Sequence, residues 1–304
     1  MITDKLAHRA VALLAVGLVA AGCADAGATD TTGGDGEQAL ARSLAGIQAG
    51  NYTFTSSSGD EVQGSVHLPQ GSSISQRYGP SVLRVGSTFY LKYRIHGEQH
   101  DRYGQLYDEY AAGATKKQPA EARKAKRILA VLDGGSWVRA DEKRLVAAAA
   151  ADDQSGMEYL PPAPTAARPD VTGATALADA AVSARLSGTT ITGTLDATRI
   201  DPELRLFTND PYYAYGPRAR AMPYRATLDD QGRLTRITVD VPGRLEAPAS
   251  QPPAGIPSDA PTETPEQPLT ITVSRYGQTA APGRPADAVE LDPAAYEMLT
   301  NDID

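Results

Sequence analysis

Hydrophobic and polar residues alternate with a period of two through much of this chain. Tyr52 and Phe54 alternate with polar neighbours, and the run from 62 to 68 repeats the pattern until Pro69 ends it. Between 89 and 95 the apolar positions fall on one face and the polar positions on the other. This alternation is typical of antiparallel strands that bury one face and expose the other.

Shorter runs of alternation predict further strands. These lie at 74–78, 81–85, 136–138, 191–197, 224–228, 237–241 and 269–273. Asp229 to Gly232 is expected to form a hairpin turn, because glycine tolerates the positive φ that such turns require.

Helical spacing of apolar residues predicts helices at 37–48, 101–112, 119–133, 142–150, 174–186 and 293–299. Pro119 suits the first turn of its helix, and the glycines at 134 and 135 end that helix. Because strands and helices are segregated along the chain, the pattern favours an α+β fold. We expect one curved antiparallel sheet, a half-barrel, with helices packed on its concave face.

The concave face of that sheet has to be buried, and the alternation indicates which residues lie on it. The candidate cavity residues are Phe54, Val66, Phe89, Leu91, Tyr224, Ala226, Ile237, Val239 and Ile271. Helices that fill the concavity would leave a plain core, whereas small Ala and Gly side chains would leave room for an apolar ligand. Both alternatives stay open, because a sequence shows which face a residue is on but not the gap between layers.

The first 22 residues have the pattern of a bacterial lipoprotein signal. Lys5 and Arg9 precede an uncharged apolar run at 10–21, which is shorter than the about 20 residues that span a bilayer. Ala21-Gly22-Cys23 completes the pattern, and Cys23 is the single cysteine of the chain. After an ordinary secretory signal, Cys23 would be an unpaired thiol in an oxidising compartment. We therefore expect Cys23 to be lipidated, which anchors the protein on the extracytoplasmic face of the membrane.

The composition of the rest of the chain indicates a short tether followed by one domain. Residues 23–36 have almost nothing to bury and are expected to form a flexible tether. Residues 37–304 are expected to form one domain with a helical insert at 98–133 and a Pro-rich loop at 246–267. The net charge of −8 argues against nucleic acid as a partner.

No motif in the sequence assembles a catalytic or metal site. His67, His96 and His100 have no Cys or acidic residue at metal-ligand spacing, and the chain contains no HExxH, no G-x-S-x-G and no phosphate-binding glycine loop. The adjacent carboxylates Asp229 and Asp230 are explained by turn chemistry. We expect no enzymatic activity, no cofactor and no metal ion.

Two surface patches have two interpretations each. The basic residues between Lys116 and Arg127 are either the solvated face of a helix or a face turned towards anionic lipid headgroups. The tyrosines at 212, 213, 215 and 224 are interleaved with Arg218 and Arg220. They are either ordinary loop packing or the mouth of an apolar cavity.

Three stretches of sequence carry a resemblance to a known family. They are Gly188 to Asp196 (GTTITGTLD), Pro223 to Leu234 (PYRATLDDQGRL) and Leu269 to Gly277 (LTITVSRYG), together with the short tryptophan strand at 136–138. In these stretches the chain resembles the LppX/LprG-like lipoproteins of actinobacteria, whose fold is similar to that of the periplasmic lipoprotein carrier LolA. The resemblance covers residues 37–100 and 134–290. It implies a half-barrel wrapped on helices, with an apolar cavity that takes acyl chains.

These observations lead to two hypotheses of function. The first is a membrane-anchored lipoprotein that binds or carries a lipid or acylated ligand in an apolar cavity outside the cytoplasmic membrane. The alternative is a non-enzymatic envelope scaffold or accessory lipoprotein, with a filled core, that binds a protein partner through its insert. A lipid bound in the cavity would distinguish the first hypothesis from the second.

Overall fold

The computed structural model describes residues 33–57, 61–77, 79–92, 131, 135–151, 160–245 and 266–298. The signal, Cys23, residues 24–32 of the tether and residues 246–265 of the Pro-rich loop lie outside the described residues. So do the helical insert at 98–133, except Val131, and the basic patch within it.

The centre of the fold is one open sheet of twelve strands. The strands are β1 Asn51–Ser56, β2 Val62–His67, β3 Gly71–Gln76, β4 Ser81–Val85, β5 Thr88–Lys92, β6 Val138–Ala140, β7 Ala181–Ser187, β8 Thr190–Leu195, β9 Met222–Leu228, β10 Leu234–Val239, β11 Leu269–Ser274 and β12 Val289–Glu290. Their order is β12-β6-β5-β4-β3-β2-β1-β11-β10-β9-β8-β7. Two antiparallel meanders, β1–β6 and β7–β11, are therefore joined by the pairing of β1 with β11.

The described residues also form helices. They are α1 Gly33–Ser43, α2 Ala45–Gln48, α3 Glu142–Ala151, α4 Ala174–Asp179, α5 Pro211–Tyr215 and α6 Pro293–Met298, with short 3₁₀ turns at Ala197–Arg199, Pro202–Leu204 and Gly216–Arg220. Leu40 and Leu44 of the first helical segment join the same core cluster as the strand residues. The prediction of an α+β fold built on a large curved, open sheet is confirmed.

The sheet is mixed, which corrects the expectation of purely antiparallel pairing. β12 runs parallel to β6, with Val289 opposite Val138. After β11 the chain crosses the ends of the central strands, where the Gly277 amide donates to the Asn51 carbonyl. This crossing brings β12 to the far edge in the same direction as β6. A two-residue strand has too short a pattern to be predicted from alternation.

The predicted helix at 174–186 is wrong in its second half. α4 ends at Asp179, and residues 181–187 form the edge strand β7 paired with β8. The alanines of this stretch favour a helix, but the ladder and the burial of Ala184 override that preference.

The helix was predicted from Glu37, but α1 already includes residues 33–36, so this part of the predicted tether is helical. Gly36 packs directly on the edge strand, where a Cβ atom at position 36 would lie 2.4 Å from the Ala184 carbonyl oxygen. Tertiary contact with β7 thus extends a helix whose glycines disfavour it locally.

The two faces of the sheet differ sharply. Cross-strand pairs such as Phe54–Val273 and Ile237–Ile271 point into the apolar core, whereas Thr53, Thr55 and their neighbours point away from it. Strands β1 to β11 contain no Asp or Glu, so the acidic residues of the described chain lie in the helices, the loops and β12.

Candidate ligand cavity

A cavity of about 180 Å³ lies between the apolar face of β1–β3 and two segments without regular strands. These segments, 160–173 and 203–206, form its cover. Its apolar walls include Phe54, Val62, Ile74, Leu160, Leu204 and Leu206. The lining also includes the charged residues Asp170, Glu203 and Arg205 and the polar residues Ser56, Gln76 and Thr172. The cavity is partly open to solvent.

The volume limits what the cavity holds in this conformation. Pockets for drug-sized ligands occupy roughly 300–1,000 Å³, and an apolar cavity of about 150 Å³ is enough for benzene. At about 180 Å³ the cavity holds a short apolar group. A complete long acyl chain requires the cover to move away from the sheet.

Tyr52 fixes one part of the cover. Its side chain is fully buried, and its hydroxyl donates to the Pro169 carbonyl at 2.8 Å and accepts from the Val171 amide at 3.3 Å. Burial raises the pKa of the Tyr52 hydroxyl, and the negative charge of Asp170 raises it further. The hydroxyl therefore stays protonated and keeps its donor role at neutral pH.

The same part of the cover is also fixed from within. One carboxylate oxygen of Asp170 accepts from the Thr172 amide and hydroxyl, each at 2.7 Å, and the other accepts from the Thr175 amide at 2.7 Å. Gly173 has φ of 82°, and a Cβ atom there would lie 2.6 Å from the Leu206 side chain. A glycine is needed at 173 both for this backbone conformation and for the close approach of the two covering segments.

Arg84 holds the other part of the cover. It is the charged residue on the apolar face of β4, and only 8% of it is exposed. Its Nε and Nη2 donate to Oε1 of Glu142 at 2.9 and 2.5 Å, and Nη2 also donates to the Pro161 carbonyl at 2.7 Å. The guanidinium lies 5.3 Å from the centre of the Phe89 ring. A buried arginine thus connects α3 and the covering segment to the sheet.

Three buried side-chain polar atoms beside the cavity have no hydrogen-bond partner in the described part of the chain. They are Nη1 of Arg84, Oγ of Ser72 and Oε1 of Gln76. Ser72 and Gln76 flank Ile74 on β3, and Ser72 is the cross-strand partner of Arg84. Buried polar atoms without partners are uncommon in folded proteins, so this wall differs in chemistry from the rest of the core.

The structure brings one of the nine predicted cavity residues to the cavity, which is Phe54. The other eight lie in the packed core, each at most 4% exposed: Val66, Phe89, Leu91, Tyr224, Ala226, Ile237, Val239 and Ile271. All nine face the apolar side, but the cavity of about 180 Å³ lies under β1–β3. Sequence reasoning missed the lining residues Val62 and Ile74. It also did not identify the polar pair Ser72–Arg84, which lies next to Ile74 and outside the lining. A signal for Arg84 was present, since it occupies an apolar position of the alternating strand 81–85.

Tyr224 is packed against the strands β7 and β8. Its hydroxyl donates to the Ser183 carbonyl at 3.1 Å, and its ring lies over Gly193, its cross-strand partner. Burial raises the pKa of Tyr224 to about 12, with a smaller contribution from Glu37. This packing leaves no room for a ligand at Tyr224.

The four tyrosines of the predicted patch differ in burial. Tyr215 and Tyr224 are buried, whereas Tyr212 and Tyr213 are 47% and 75% exposed on α5. The Arg220 guanidinium lies 4.9 Å from the centre of the Tyr212 ring. The cavity under β1–β3 is lined by none of these side chains, which favours the interpretation of ordinary packing.

Within the described ranges, no three His, Cys, Asp or Glu side chains are grouped as metal ligands would be. Over the same ranges, no helix is both long and apolar enough to cross a bilayer.

No protein-family model matches the chain, and no curated protein matches its sequence. Among solved structures, the chain is similar to the crystal structure of LprF from Mycobacterium bovis, with 13% sequence identity and a TM-score of 0.37. The similarity covers 84% of this chain and 99% of LprF. A likeness of this size says nothing of what either protein binds.

Proposed function

We propose that this protein is a lipid-anchored, non-enzymatic binding protein that holds the apolar part of a lipid or acylated ligand in the cavity under β1–β3. The observation that carries the proposal is the cavity itself, with apolar walls on the sheet and a cover of irregular chain. Apolar ligands bind in such sites by removing their own surface and that of the walls from water.

The cover is the part of the site that can widen. β1, β2 and β3 are held by continuous antiparallel ladders, so the sheet wall is rigid. By contrast, the covering segment 160–173 is held to the sheet side by the Tyr52 and Arg84 hydrogen bonds. Each such bond contributes only about 0.5–1.5 kcal/mol net, or about 1.5–3 kcal/mol for a charged donor. Burial of an acyl chain contributes about 0.8 kcal/mol per methylene, so about three to eight methylenes offset the loss of these three bonds.

The membrane anchor belongs to the same proposal and rests on Cys23 and the signal before it. Diacylglyceryl and N-acyl chains on Cys23 supply more than the two lipid chains that stable anchoring requires. Replacing Cys23 with Ala is expected to move the protein from the membrane fraction to the soluble fraction. If the C23A variant stays in the membrane fraction, the proposal that Cys23 is the lipidated anchor is contradicted.

The binding proposal is tested by mass spectrometry of organic extracts from the chain that starts at residue 24, which keeps every described residue. We expect a reproducible lipid at close to one molecule per protein. The Val62→Phe variant places a ring in the cavity and should lose that lipid. Val182→Phe is the matched control, because Val182 is 55% exposed on β7 and far from the cavity, and it should keep the lipid.

A second candidate function is favoured by the dense packing of the other eight predicted cavity residues. It is the envelope scaffold with a filled core that binds a protein partner through the insert at 98–133. A folded protein that contains no lipid, and whose extracts do not differ between Val62→Phe and Val182→Phe, would favour the scaffold over the lipid-binding protein.

A further inference from the structure

The unpartnered atoms of Ser72 and Arg84 lie side by side on the apolar face. The two residues are direct cross-strand partners on β3 and β4, so their Cβ atoms are about 5 Å apart. Ser72 is fully buried and Arg84 is more than nine-tenths buried. Oγ of Ser72 and Nη1 of Arg84 both lack a hydrogen-bond partner among the described residues. Together they offer three polar hydrogens, two from Nη1 and one from Oγ.

This pair adjoins the cavity on two sides. Ile74, the next inward-facing residue after Ser72 on β3, is part of the cavity wall. Pro161, whose carbonyl accepts from Nη2 of Arg84, is part of the cavity cover. Ser72 and Arg84 are next to the lining of the cavity and not part of it. A polar group attached to an apolar chain in the cavity reaches them only if the cover shifts at Pro161.

The charge around Arg84 decides what kind of acceptor fits. Glu142 already neutralises the guanidinium through Nε and Nη2. A second carboxylate at Nη1 would gain little from a neutralised cation and would be repelled by Glu142 at low dielectric. A neutral carbonyl has no such penalty, and the Pro161 carbonyl already shows that Arg84 binds one, at 2.7 Å.

We propose that Ser72 and Arg84 form a site for the ester carbonyl of the ligand, so that the cavity selects acyl esters over free fatty acids and plain hydrocarbons. The inference rests on the proposed function, since it names the class of ligand for that same cavity. Nη1 of Arg84 and Oγ of Ser72 donate to the ester carbonyl, and the acyl chain extends past Ile74 towards Phe54.

The test measures binding of methyl octanoate, octanoate and nonane to delipidated protein by displacement of a fluorescent apolar probe. Ser72→Ala removes a hydroxyl that has no bond to lose, so its melting temperature should match that of the original chain. It should weaken methyl octanoate about threefold to tenfold, the effect of one lost hydrogen bond, and leave nonane unchanged. Arg84→Lys keeps a cation for Glu142 but lacks Nη1, and should weaken methyl octanoate in the same way.

Ser73→Ala is the matched control, because Ser73 is the next residue of β3 and points to the opposite face. It should leave all three affinities unchanged. If nonane and methyl octanoate bind and Ser72→Ala affects neither, the ester site is refuted while the proposed function stands. If Ser72→Ala weakens octanoate more than the ester, the site binds anions and the inference is refuted. If none of the three ligands binds, the proposed function fails and the inference fails with it.

Discussion

Removal of one hydroxyl group, in the Tyr52→Phe variant, tests how the cover is held to the sheet. The Tyr52 ring is 0% exposed, and the phenylalanine ring fills the same space, so no cavity is created. What is lost is the bond to the Pro169 carbonyl at 2.8 Å and the bond from the Val171 amide at 3.3 Å. Both backbone groups are then left without this partner in a partly buried position.

The magnitude follows from those two bonds. Each neutral hydrogen bond contributes about 0.5–1.5 kcal/mol net, and a buried group left unsatisfied costs about 1–3 kcal/mol. The bond at 3.3 Å is long and contributes at the lower end. We expect the free energy of unfolding to fall by about 2 kcal/mol, which lowers the melting temperature by about 4–8 °C for a domain of this size.

Urea unfolding measures this loss, and hydrogen exchange locates it. The Val171 amide should exchange faster in Tyr52→Phe, while amides in the central strands β1 and β2 change only with global stability. Tyr213→Phe is the control, because Tyr213 is 75% exposed and its change should stay within about 0.5 kcal/mol. A loss below about 0.5 kcal/mol in Tyr52→Phe, or unchanged exchange at Val171, would refute the view that Tyr52 holds the cover.

Two further predictions concern Gly193 on β8 and Tyr224 on β9. Gly193→Ala should destabilise the protein by about 2 kcal/mol or more, because its Cβ would lie 1.9 Å from the Ser183 carbonyl oxygen. In the same urea titration, Gly34→Ala should not destabilise the protein and should stabilise α1 by up to about 1 kcal/mol, because no heavy atom lies within 4 Å and alanine favours the helix. Folding raises the pKa of Tyr224 to about 12, so its contribution to stability is complete below its ordinary pKa of about 10 and is lost as pH rises towards 12. The loss between pH 10 and 12 should be smaller in Tyr224→Phe, and an unchanged alkaline profile would contradict this assignment.

Most strands of this fold were predictable because alternation is a local property. β4 spans Ser81–Val85 as predicted, and β1, β2 and β11 differ from their predicted runs by a few residues. The failures have a common cause. At 181–187 the pairing with β8 overrode a helical preference, and at 33–36 a helix packs against β7 where the sequence predicted a tether.

The cavity could be predicted only in part. Its sheet wall follows from the apolar face, and Phe54 was among the candidates. Its cover could not be predicted, because residues 160–173 and 203–206 have neither helical nor strand periodicity and lie more than 80 residues away from β1–β3 in the chain. Ala226 is an example of what alternation leaves open. It lies on the apolar face, as predicted, but it is fully buried against its neighbours.

The sequence by itself determined which residues face the core, because the side chains of a strand alternate between its two faces whatever lies opposite. Only the tertiary structure decided where the layers separate. That separation depends on Tyr52, Arg84 and Gly173, each of which acts on a segment distant in the chain. A cavity forms where two segments lie too far apart to pack against each other. The pattern of residues along one segment does not give its distance from the other.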